Sequence, residues 1–349
     1  MDYEKYIKRC INLAKCGIAN VSPNPMVAAI IVADDKIIGE GYHRKYGEDH
    51  AEVVAIKSVK DKELLCKSTL YVSLEPCSHF GKTPPCVNLI IESKIPNVVV
   101  GCKDPNPIVS GKGIEILKKA GINVTIGILE KECQFLNRRF FTFHQKKRPY
   151  IILKWAASLD NFIDIKRNSS EIEPVFFIDE FGRAIVHKWR SEEDAILVGR
   201  NTVTLDNPKL TSRNYFGRNP IKIVINKNND LNKNLHIFDK EFKTIIFNSI
   251  ISLDEGNIKY IKIDFTENVV LQVINILYIM KISSIIVEGG SITLNSFIKE
   301  NLWDEARVFT SNIKLKEGIK SPEFNYIPEK EINFKNYKLS TYFNYGTYL

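Results

Sequence analysis

The most constraining feature of this chain is a small set of side chains with metal-site chemistry. His50 opens a segment of helical periodicity, Cys77 follows a short apolar run, and Cys86 begins another helical segment. One imidazole and two thiolates are three of the four ligands of a tetrahedral zinc ion, which leaves the fourth position for water. Glu52, two residues after the histidine, is placed to exchange protons with that water. The pattern predicts a catalytic zinc site in which Glu52 is the proton carrier.

The remaining thiols and a loop histidine leave one alternative open. His79 lies between the two cysteines and is a candidate fourth ligand, which would close the site. The chain has seven cysteines, an odd number, and its first residues lack the layout of a signal peptide. We therefore expect thiols or metal ligands in a cytoplasmic protein rather than a disulfide framework. The cysteines without partner spacing are expected to be small buried side chains; they are Cys10, Cys16, Cys66, Cys102 and Cys133.

Charge and hydropathy exclude some classes of protein. The formal net charge of +8 is compatible with nucleic acid, an anionic membrane or a phosphorylated small molecule, but the lysines are spread along the whole chain. The longest apolar candidate, 269–282, is interrupted by polar residues and is too short to span a membrane. We therefore expect no membrane partner.

The order of predicted elements indicates an α/β fold. Both halves alternate short apolar runs with segments of helical periodicity, and the basic stretch 145–149, which ends at a proline, separates them. With 349 residues, we predict two domains, 1–145 and 146–349. Residues 226–234 are a predicted loop and 332–349 a closing hairpin. Predicted strands are 26–33, 69–74, 98–101, 150–156, 194–199, 221–225, 244–247 and 284–288, and predicted helices are 3–16, 50–60, 86–93, 111–120, 179–190, 268–281 and 291–299.

Longer motifs around the zinc residues resemble one known family. A His-x-Glu element with a later Pro-Cys pair is the signature of zinc deaminases, although the usual Cys-x-x-Cys is here a longer loop from Glu75 to Cys86. With this loop, the chain resembles the bifunctional deaminase-reductases of riboflavin biosynthesis. The other matching motifs are Ser22-Pro23-Asn24-Pro25-Met26-Val27, Gly41-Tyr42-His43, His50-Ala51-Glu52 and Gly101-Cys102-Lys103-Asp104-Pro105-Asn106-Pro107.

The resemblance implies a cytidine-deaminase-like zinc domain followed by a dihydrofolate-reductase-like domain, with Zn²⁺ and NADPH as cofactors. The first would deaminate 2,5-diamino-6-(5-phosphoribosylamino)pyrimidin-4(3H)-one to 5-amino-6-(5-phosphoribosylamino)uracil, and the second would reduce the ribosyl group to ribityl. The expected partner is thus a phosphorylated pyrimidine. Three of the implied contacts, at 24, 104 and 106, have turn formation beside proline as an alternative role. By matching position, the implied substrate contacts are Asn24, His43, Lys82, Asp104 and Asn106.

The second half has no Gly-x-Gly-x-x-Gly fingerprint, and the pair Gly111 and Gly113 in the first half lacks the third glycine. Gly289-Gly290 instead joins a predicted strand to a helix, where free N–H groups attract anions. Motifs at 148–160, 186–199 and 207–213 resemble the reductase half of the family. The resemblance implies an NADPH site lined by Ala156, Thr202, Asp206, Gly290, Ser291, Ile292, Thr293, Leu294, Asn295 and Ser296, and a substrate site lined by Arg190, Leu210, Arg213 and Glu288.

Lys154 and Glu288 are the candidate catalytic residues of the reductase, because they could polarise or protonate the ribosyl group while hydride arrives. A purely structural ion pair is the alternative. The sequence departs from the family pattern at Asn161, at Asn207 and at 173–177. Phe176 is the predicted aromatic side chain beside the nicotinamide.

Two other classes of function compete with this interpretation. A deaminase of nucleic-acid bases would share the zinc core and suit a basic chain, but it gives the second half no reductive role. A binding protein that has lost catalysis would not need the intact zinc motif. We therefore expect a two-step enzyme of small molecules, assembled as a homo-oligomer.

Overall fold

The computed structural model describes residues 2–79, 84–107 and 109–347. The chain divides into two compact units, Met1–Lys147 and Arg148–Leu349. Each unit has its own sheet and its own hydrophobic clusters. In the described part of the chain, no helix combines the length and the apolar character needed to cross a membrane.

The first unit alternates strands and helices after an N-terminal helix. Its strands are β1 (Ala28–Ala33), β2 (Lys36–Tyr42), β3 (Thr69–Leu74), β4 (Asn97–Cys102) and β5 (Asn123–Ile126), and its helices are α1 (Tyr3–Ala14), α2 (Ala51–Ser58), α3 (Cys86–Glu92), α4 (Lys112–Lys119), α5 (Glu130–Leu136) and α6 (Arg138–Lys146). The sheet has the strand order β2-β1-β3-β4-β5, in which β1 is antiparallel to both neighbours and the last three strands are parallel.

Both faces of this first sheet are covered. Along β1, Ile30 and Val32 belong to one buried cluster, whereas Ala29 and Ile31 belong to the cluster on the opposite face. Because a sheet with helices on both sides leaves no solvated face, its strands are continuous apolar runs rather than alternating ones.

The second unit is built on a larger sheet. The strands of this unit are β6 (Tyr150–Ala157), β7 (Phe162–Asp164), β8 (Ala195–Gly199), β9 (Ile221–Ile225), β10 (Thr244–Asn248), β11 (Leu253–Glu255), β12 (Ile258–Lys262), β13 (Ser284–Val287), β14 (Glu305–Ser311), β15 (Ile319–Lys320), β16 (Lys330–Asn333) and β17 (Tyr337–Phe343), and its helices are α7 (Glu180–Glu192), α8 (Arg200–Asp206), α9 (Val269–Ile279) and α10 (Ser291–Lys299). The strand order of the large sheet is β11-β12-β10-β9-β8-β13-β6-β14-β17-β16, and the seven strands from β12 to β14 are mutually parallel. Strands β7 and β15 form a separate two-stranded antiparallel sheet.

The predicted elements of both halves are present, with shifts of a few residues at their ends. The loop at 226–234 and the closing hairpin, formed by β16 and β17, are also confirmed. Strand β2 was not predicted, because it carries charged residues and two glycines. Those glycines allow α2 to approach closely: a Cβ on Gly39 would lie 2.5 Å from Val59, and one on Gly41 would lie 2.5 Å from the Ala55 nitrogen.

Candidate functional site

Three elements of the first unit bring the predicted zinc ligands together. His50 precedes the first turn of α2, Cys77 follows β3, and Cys86 is the first residue of α3. Nδ1 of His50 lies 3.5 Å from Sγ of Cys77 and 3.4 Å from Sγ of Cys86. These separations suit a tetrahedral zinc ion with metal–ligand distances of about 2.0 to 2.3 Å. Among the described residues the cluster comprises these three, and His79 is exposed outside it.

The sulfur atom of Cys77 has the electrostatics of a metal ligand. Hydrogen bonds from Cys86 and His50 lower the pKa of Cys77 to about 4, despite the opposing effect of burial. The Cys86 backbone N–H also donates to Sγ of Cys77, at 3.3 Å. Cys77 is therefore a thiolate at neutral pH, which is the form that binds zinc.

Glu52 lies beside the cluster, in the first turn of α2, and only 3% of its surface is exposed. Burial, reinforced by the negative charge of Cys77, raises its pKa to about 7. A carboxyl group that titrates near neutrality can both accept and release a proton at working pH. The sequence motif predicts this capacity for proton transfer at Glu52.

Two predicted substrate contacts, Asn24 and His43, lie next to the cluster. The His43 ring packs edge-on against the His50 ring, with centroids 5.4 Å apart. His43 Nδ1 lies 3.1 Å from the carbonyl oxygen of Asp49, and Nε2 lies 3.2 Å from Nδ2 of Asn24. Donation from Nδ1 to the carbonyl makes Nε2 the acceptor for the Asn24 amide. Burial lowers the pKa of His43, which keeps the ring neutral.

The other described contacts of this set, Asp104 and Asn106, follow β4. Asp104 is 8% exposed, and burial raises its pKa to about 6. The Asn106 N–H donates to Oδ1 of Asp104 at 2.7 Å, so the turn role of Asp104 is confirmed. Lys82, the predicted phosphate contact, lies outside the described residues.

Glu75 is a residue of this region that sequence reasoning missed. It is 4% exposed and its carboxylate accepts four backbone N–H groups. The donors are Asp104 (3.2 Å), Gly111 (2.9 Å), Gly113 (3.1 Å) and Ile114 (3.4 Å). The signal in the sequence is a carboxyl group directly after a mostly apolar strand, because a carboxylate that becomes buried needs hydrogen-bond partners.

The second unit contains a large cleft of about 1200 Å³. Lys154 on β6, Arg190 on α7 and Glu288 after β13 meet in its wall. Lys154 Nζ lies 3.3 Å from the Glu288 carboxylate, and the Arg190 guanidinium binds both oxygens of Glu288, at 2.9 and 2.8 Å. Arg190 also donates to the Thr211 carbonyl, at 3.3 Å. The predicted substrate cation Arg190 is thus engaged with the predicted catalytic carboxylate.

Ion pairing sets the protonation states of Glu288 and Lys154 in the wall of the cleft. Burial opposes ionisation of Glu288, but the positive charges of Arg190 and Lys154 outweigh it and lower the pKa of Glu288 to about 2. Burial lowers the pKa of Lys154, and Glu288 partly counteracts that effect. Glu288 is therefore an anion at neutral pH, and Lys154 is the group with a proton to give.

Most residues implied for the cofactor line the same cleft, and two do not. Leu294 is fully buried in the core on the other side of α10, and Asn295 donates to Ser291 Oγ at 3.2 Å without lining the cleft. Asp206 lines the cleft but is paired with Arg167. The predicted residues in the lining are Ala156, Phe176, Thr202, Asp206, Gly290, Ser291, Ile292, Thr293 and Ser296 for the cofactor and Arg190, Leu210, Arg213 and Glu288 for the substrate.

The turn before α10 is shaped to admit a ligand. A Cβ on Gly289 would lie 2.7 Å from Cβ of Thr293, whereas a Cβ on Gly290 would meet nothing closer than Thr202 Oγ1, at 3.8 Å. Gly290 therefore faces open space at the N-terminus of a helix, where backbone N–H groups favour a phosphate. This cradle fits the pyrophosphate of a dinucleotide.

Known proteins share both halves of this chain. A family model described as the cytidine and deoxycytidylate deaminase zinc-binding region matches residues 1–102, and one described as the RibD C-terminal domain matches residues 149–315. The riboflavin biosynthesis protein RibD of Aquifex aeolicus is 38% identical over 324 residues, which are 90% of this chain and 88% of that protein. The chain belongs to the RibD family. RibD of Bacillus amyloliquefaciens is 36% identical over 89% of this chain and 84% of its own length.

Solved structures of RibD proteins agree with this assignment. The Thermotoga maritima diaminohydroxyphosphoribosylaminopyrimidine deaminase/5-amino-6-(5-phosphoribosylamino)uracil reductase is 37% identical, with a TM-score of 0.85 and coverage of 97% of each chain. Acinetobacter baumannii RibD is 28% identical, with a TM-score of 0.86 over 97% of this chain and 98% of that one.

The RibD assignment confirms the resemblance and the predicted fold. The chain has a cytidine-deaminase-like domain followed by a dihydrofolate-reductase-like domain. It is a bifunctional enzyme that catalyses a deaminase and a reductase step of riboflavin biosynthesis, with Zn²⁺ and NADPH as cofactors.

Proposed function

We propose that the unit Met1–Lys147 releases ammonia from 2,5-diamino-6-(5-phosphoribosylamino)pyrimidin-4(3H)-one, and that the unit Arg148–Leu349 then reduces the ribosyl group of the product to ribityl with NADPH. The observation that carries the proposal is the cluster of His50, Cys77 and Cys86 beside the buried Glu52. The name of the Thermotoga maritima relative supports the choice of substrate.

In the deaminase site, His50, Cys77 and Cys86 would hold zinc. When bound, zinc supplies Lewis-acid chemistry that makes water a nucleophile at neutral pH. Glu52 takes a proton from the nucleophile and delivers it to the departing amine, which its pKa of about 7 allows in both directions. Because Glu52 is buried, it exchanges protons with the substrate rather than with bulk solvent.

Amide and carboxyl groups around the cluster would bind the substrate. Asn24 and neutral His43 contact each other next to His50, and Asp104 is a buried carboxyl group after β4. Such fixed polar groups suit the edge of a heterocycle. We assign the pyrimidine to Asn24, His43, Asp104 and Asn106, and retain Lys82 as the proposed phosphate contact.

In the reductase site, NADPH would lie along the cleft with its pyrophosphate at Gly290 and the N-terminus of α10. The cofactor supplies hydride when it is bound. Lys154 donates the accompanying proton, while Glu288 stays ionised and holds the ammonium group in place. We keep the other cleft-lining cofactor residues, including Phe176 and Thr202, as proposed contacts.

The two arginines of the cleft have different proposed roles. Arg190 binds Glu288 through two hydrogen bonds, donates a third to the Thr211 carbonyl, and lines the cleft. Arg213 lines the same cleft, and burial together with the charge of Arg190 lowers its pKa. An anion at this wall would relieve the repulsion between the two cations, so we assign the substrate phosphate to Arg213 with support from Arg190.

Compartment and assembly are also proposals. NADPH supply and thiolate ligands that must stay reduced fit the cytoplasm. A homo-oligomer stays a prediction, which light scattering after size-exclusion chromatography would test.

A direct assay tests the proposed function. The purified enzyme, zinc and NADPH are mixed with the diaminopyrimidinone phosphate, and ammonia release and the loss of NADPH absorbance are followed together. We expect one ammonia for each NADPH oxidised, with ammonia appearing first. Absence of ammonia, or NADPH oxidation that precedes it, would contradict the proposal.

A further inference from the structure

Glu75 lies between β3 and the proposed zinc ligand Cys77. Its four N–H donors all lie in the ranges 104–107 and 109–114, which contain the turn of Asp104 and Asn106 and the start of α4. One carboxylate oxygen accepts from Asp104 and Gly111, and the other accepts from Gly113 and Ile114. The Glu75 side chain thereby binds backbone N–H groups at both ends of this region, from Asp104 to Ile114.

A second contact brings the same segment close to the metal ligands. A Cβ on Gly113 would lie 2.2 Å from the carbonyl oxygen of Pro76, so α4 begins in direct backbone contact with the residue before Cys77. Gly111 has a positive φ of 80°, which turns the chain into the helix. The backbone N–H groups of Gly111 and Gly113 thus donate to an internal carboxylate.

The chemistry of the contact requires a carboxylate. An ionised carboxylate only accepts hydrogen bonds, so all four N–H groups are satisfied at once. A glutamine at this position could accept from one pair of donors, but its NH₂ group would face the N–H groups of the other pair. The glutamine side chain would have the same shape as glutamate, but two of the four hydrogen bonds would be lost.

We propose that Glu75 is a positioning residue of the deaminase site, which holds residues 104–107 and 109–114 so that Asp104 and Asn106 face the substrate. This inference rests on the proposed function. Glu75 touches neither the ligand atoms nor Glu52 through any of these bonds, so its effect is on substrate binding and not on metal binding or proton transfer.

The test compares Glu75→Gln with Leu65→Ala in the full chain. Leu65 is buried in the core of the same unit but makes none of these hydrogen bonds, so its truncation controls for a general loss of stability. For each variant one measures zinc content, the melting temperature, amide exchange in 104–114, kcat and KM of deamination, and reduction of the deaminated uracil. Displacement of a binding group by about 1 Å can cost about 100-fold.

For Glu75→Gln we expect full zinc content, faster exchange in 104–114 and a kcat/KM of deamination lowered about 100-fold, mainly through KM, with reduction unchanged. Leu65→Ala should lower the melting temperature with an unchanged KM. A wild-type KM in Glu75→Gln, or a loss of zinc from it, would overturn the proposal. If Glu75→Gln does not fold, Glu75→Asp is tested instead, because it retains the carboxylate on a shorter side chain. A wild-type KM of deamination in Glu75→Asp would also overturn the proposal.

A double-mutant cycle shows whether Glu75 acts through its segment. Asn106→Ala alone should raise KM, and the double variant with Glu75→Gln should raise it no further than the larger single effect. Additive effects would overturn the proposal. Failure of the proposed function is distinguishable, because the wild-type enzyme would then release no ammonia from this substrate.

Discussion

Single residues in both sites are buried charges with specific partners. Arg190 and Lys154 compensate the burial of Glu288, and removing one partner of such a group leaves an expensive unpaired charge. Because the pKa of Glu288 is about 2, it cannot act as an acid near neutrality. The proton of the reductive step is therefore assigned to Lys154.

Lys154→Met should slow reduction by about 100- to 10,000-fold, the usual worth of a positioned proton donor, while ammonia release is unchanged. Lys222→Met is the matched control, since Lys222 is another buried lysine of this unit and donates to the carbonyl of His236. Steady-state NADPH oxidation with the deaminated uracil measures the effect. Equal rates in the two variants would remove Lys154 from the chemistry.

His187 gives the reductase unit a pH dependence of stability. Burial, followed by the charges of Arg190 and Arg213, lowers its pKa from 6.5 to about 4. Between these values the unfolded chain binds the proton and the folded chain does not, so stability falls as the pH drops from about 6.5 to 4. The variant His187→Gln has no titrating group at this position, so it lacks the part of the pH-dependent loss of stability that comes from His187. The melting temperature of the wild type relative to the variant should therefore decrease between pH 7.5 and pH 4.5, and a constant difference would contradict the assignment.

At the scale of elements, the two glycines of the turn between β13 and α10 have different roles, Gly289 in packing and Gly290 in ligand binding. Gly289 lies against Thr293, whereas Gly290 faces the cleft. Gly289→Ala should destabilise the protein by about 1 to 3 kcal/mol through overpacking. Gly290→Ala should melt like the wild type but raise the Kd for NADPH at least about tenfold. Thermal unfolding and NADPH titration of both variants test these expectations. A wild-type NADPH affinity in Gly290→Ala would contradict the proposed pyrophosphate site at Gly290.

The metal-ligand cluster is predictable from the sequence, whereas pairings between distant residues are not. The sequence predicts the zinc ligands His50, Cys77 and Cys86 because residues of ligand type occur in motif order at the ends of recognisable elements. The pairing of Arg190 with Glu288 joins residues 98 positions apart, and the bonds of Glu75 reach as far as 39 positions. Such contacts depend on how strands are ordered in the sheet, which periodicity does not specify. The resemblance assigns Leu294 to the cofactor together with its neighbours, but Leu294 faces the core, because one side of a packed helix must do so.

At the scale of the whole molecule, the two units have separate cores and separate sites. The described residues proposed for deamination lie before residue 147, and those proposed for reduction lie after residue 148. A unit of about 150 residues is large enough to bury a core of its own. We predict that fragment 1–147 binds zinc and deaminates, and that fragment 148–349 binds NADPH. A folded, zinc-loaded fragment 1–147 without activity would show that the second unit completes the first site.

The most direct test of the two-site account is the behaviour of Glu52→Gln with two substrates. Zinc content, ammonia release and NADPH oxidation are measured with the diaminopyrimidinone phosphate and, separately, with the already deaminated uracil. The account predicts full zinc content, ammonia release slowed by about 100- to 10,000-fold, correspondingly little NADPH oxidation from the first substrate, and wild-type oxidation with the second. Ammonia release at the wild-type rate, or impaired reduction of the deaminated uracil, would contradict it.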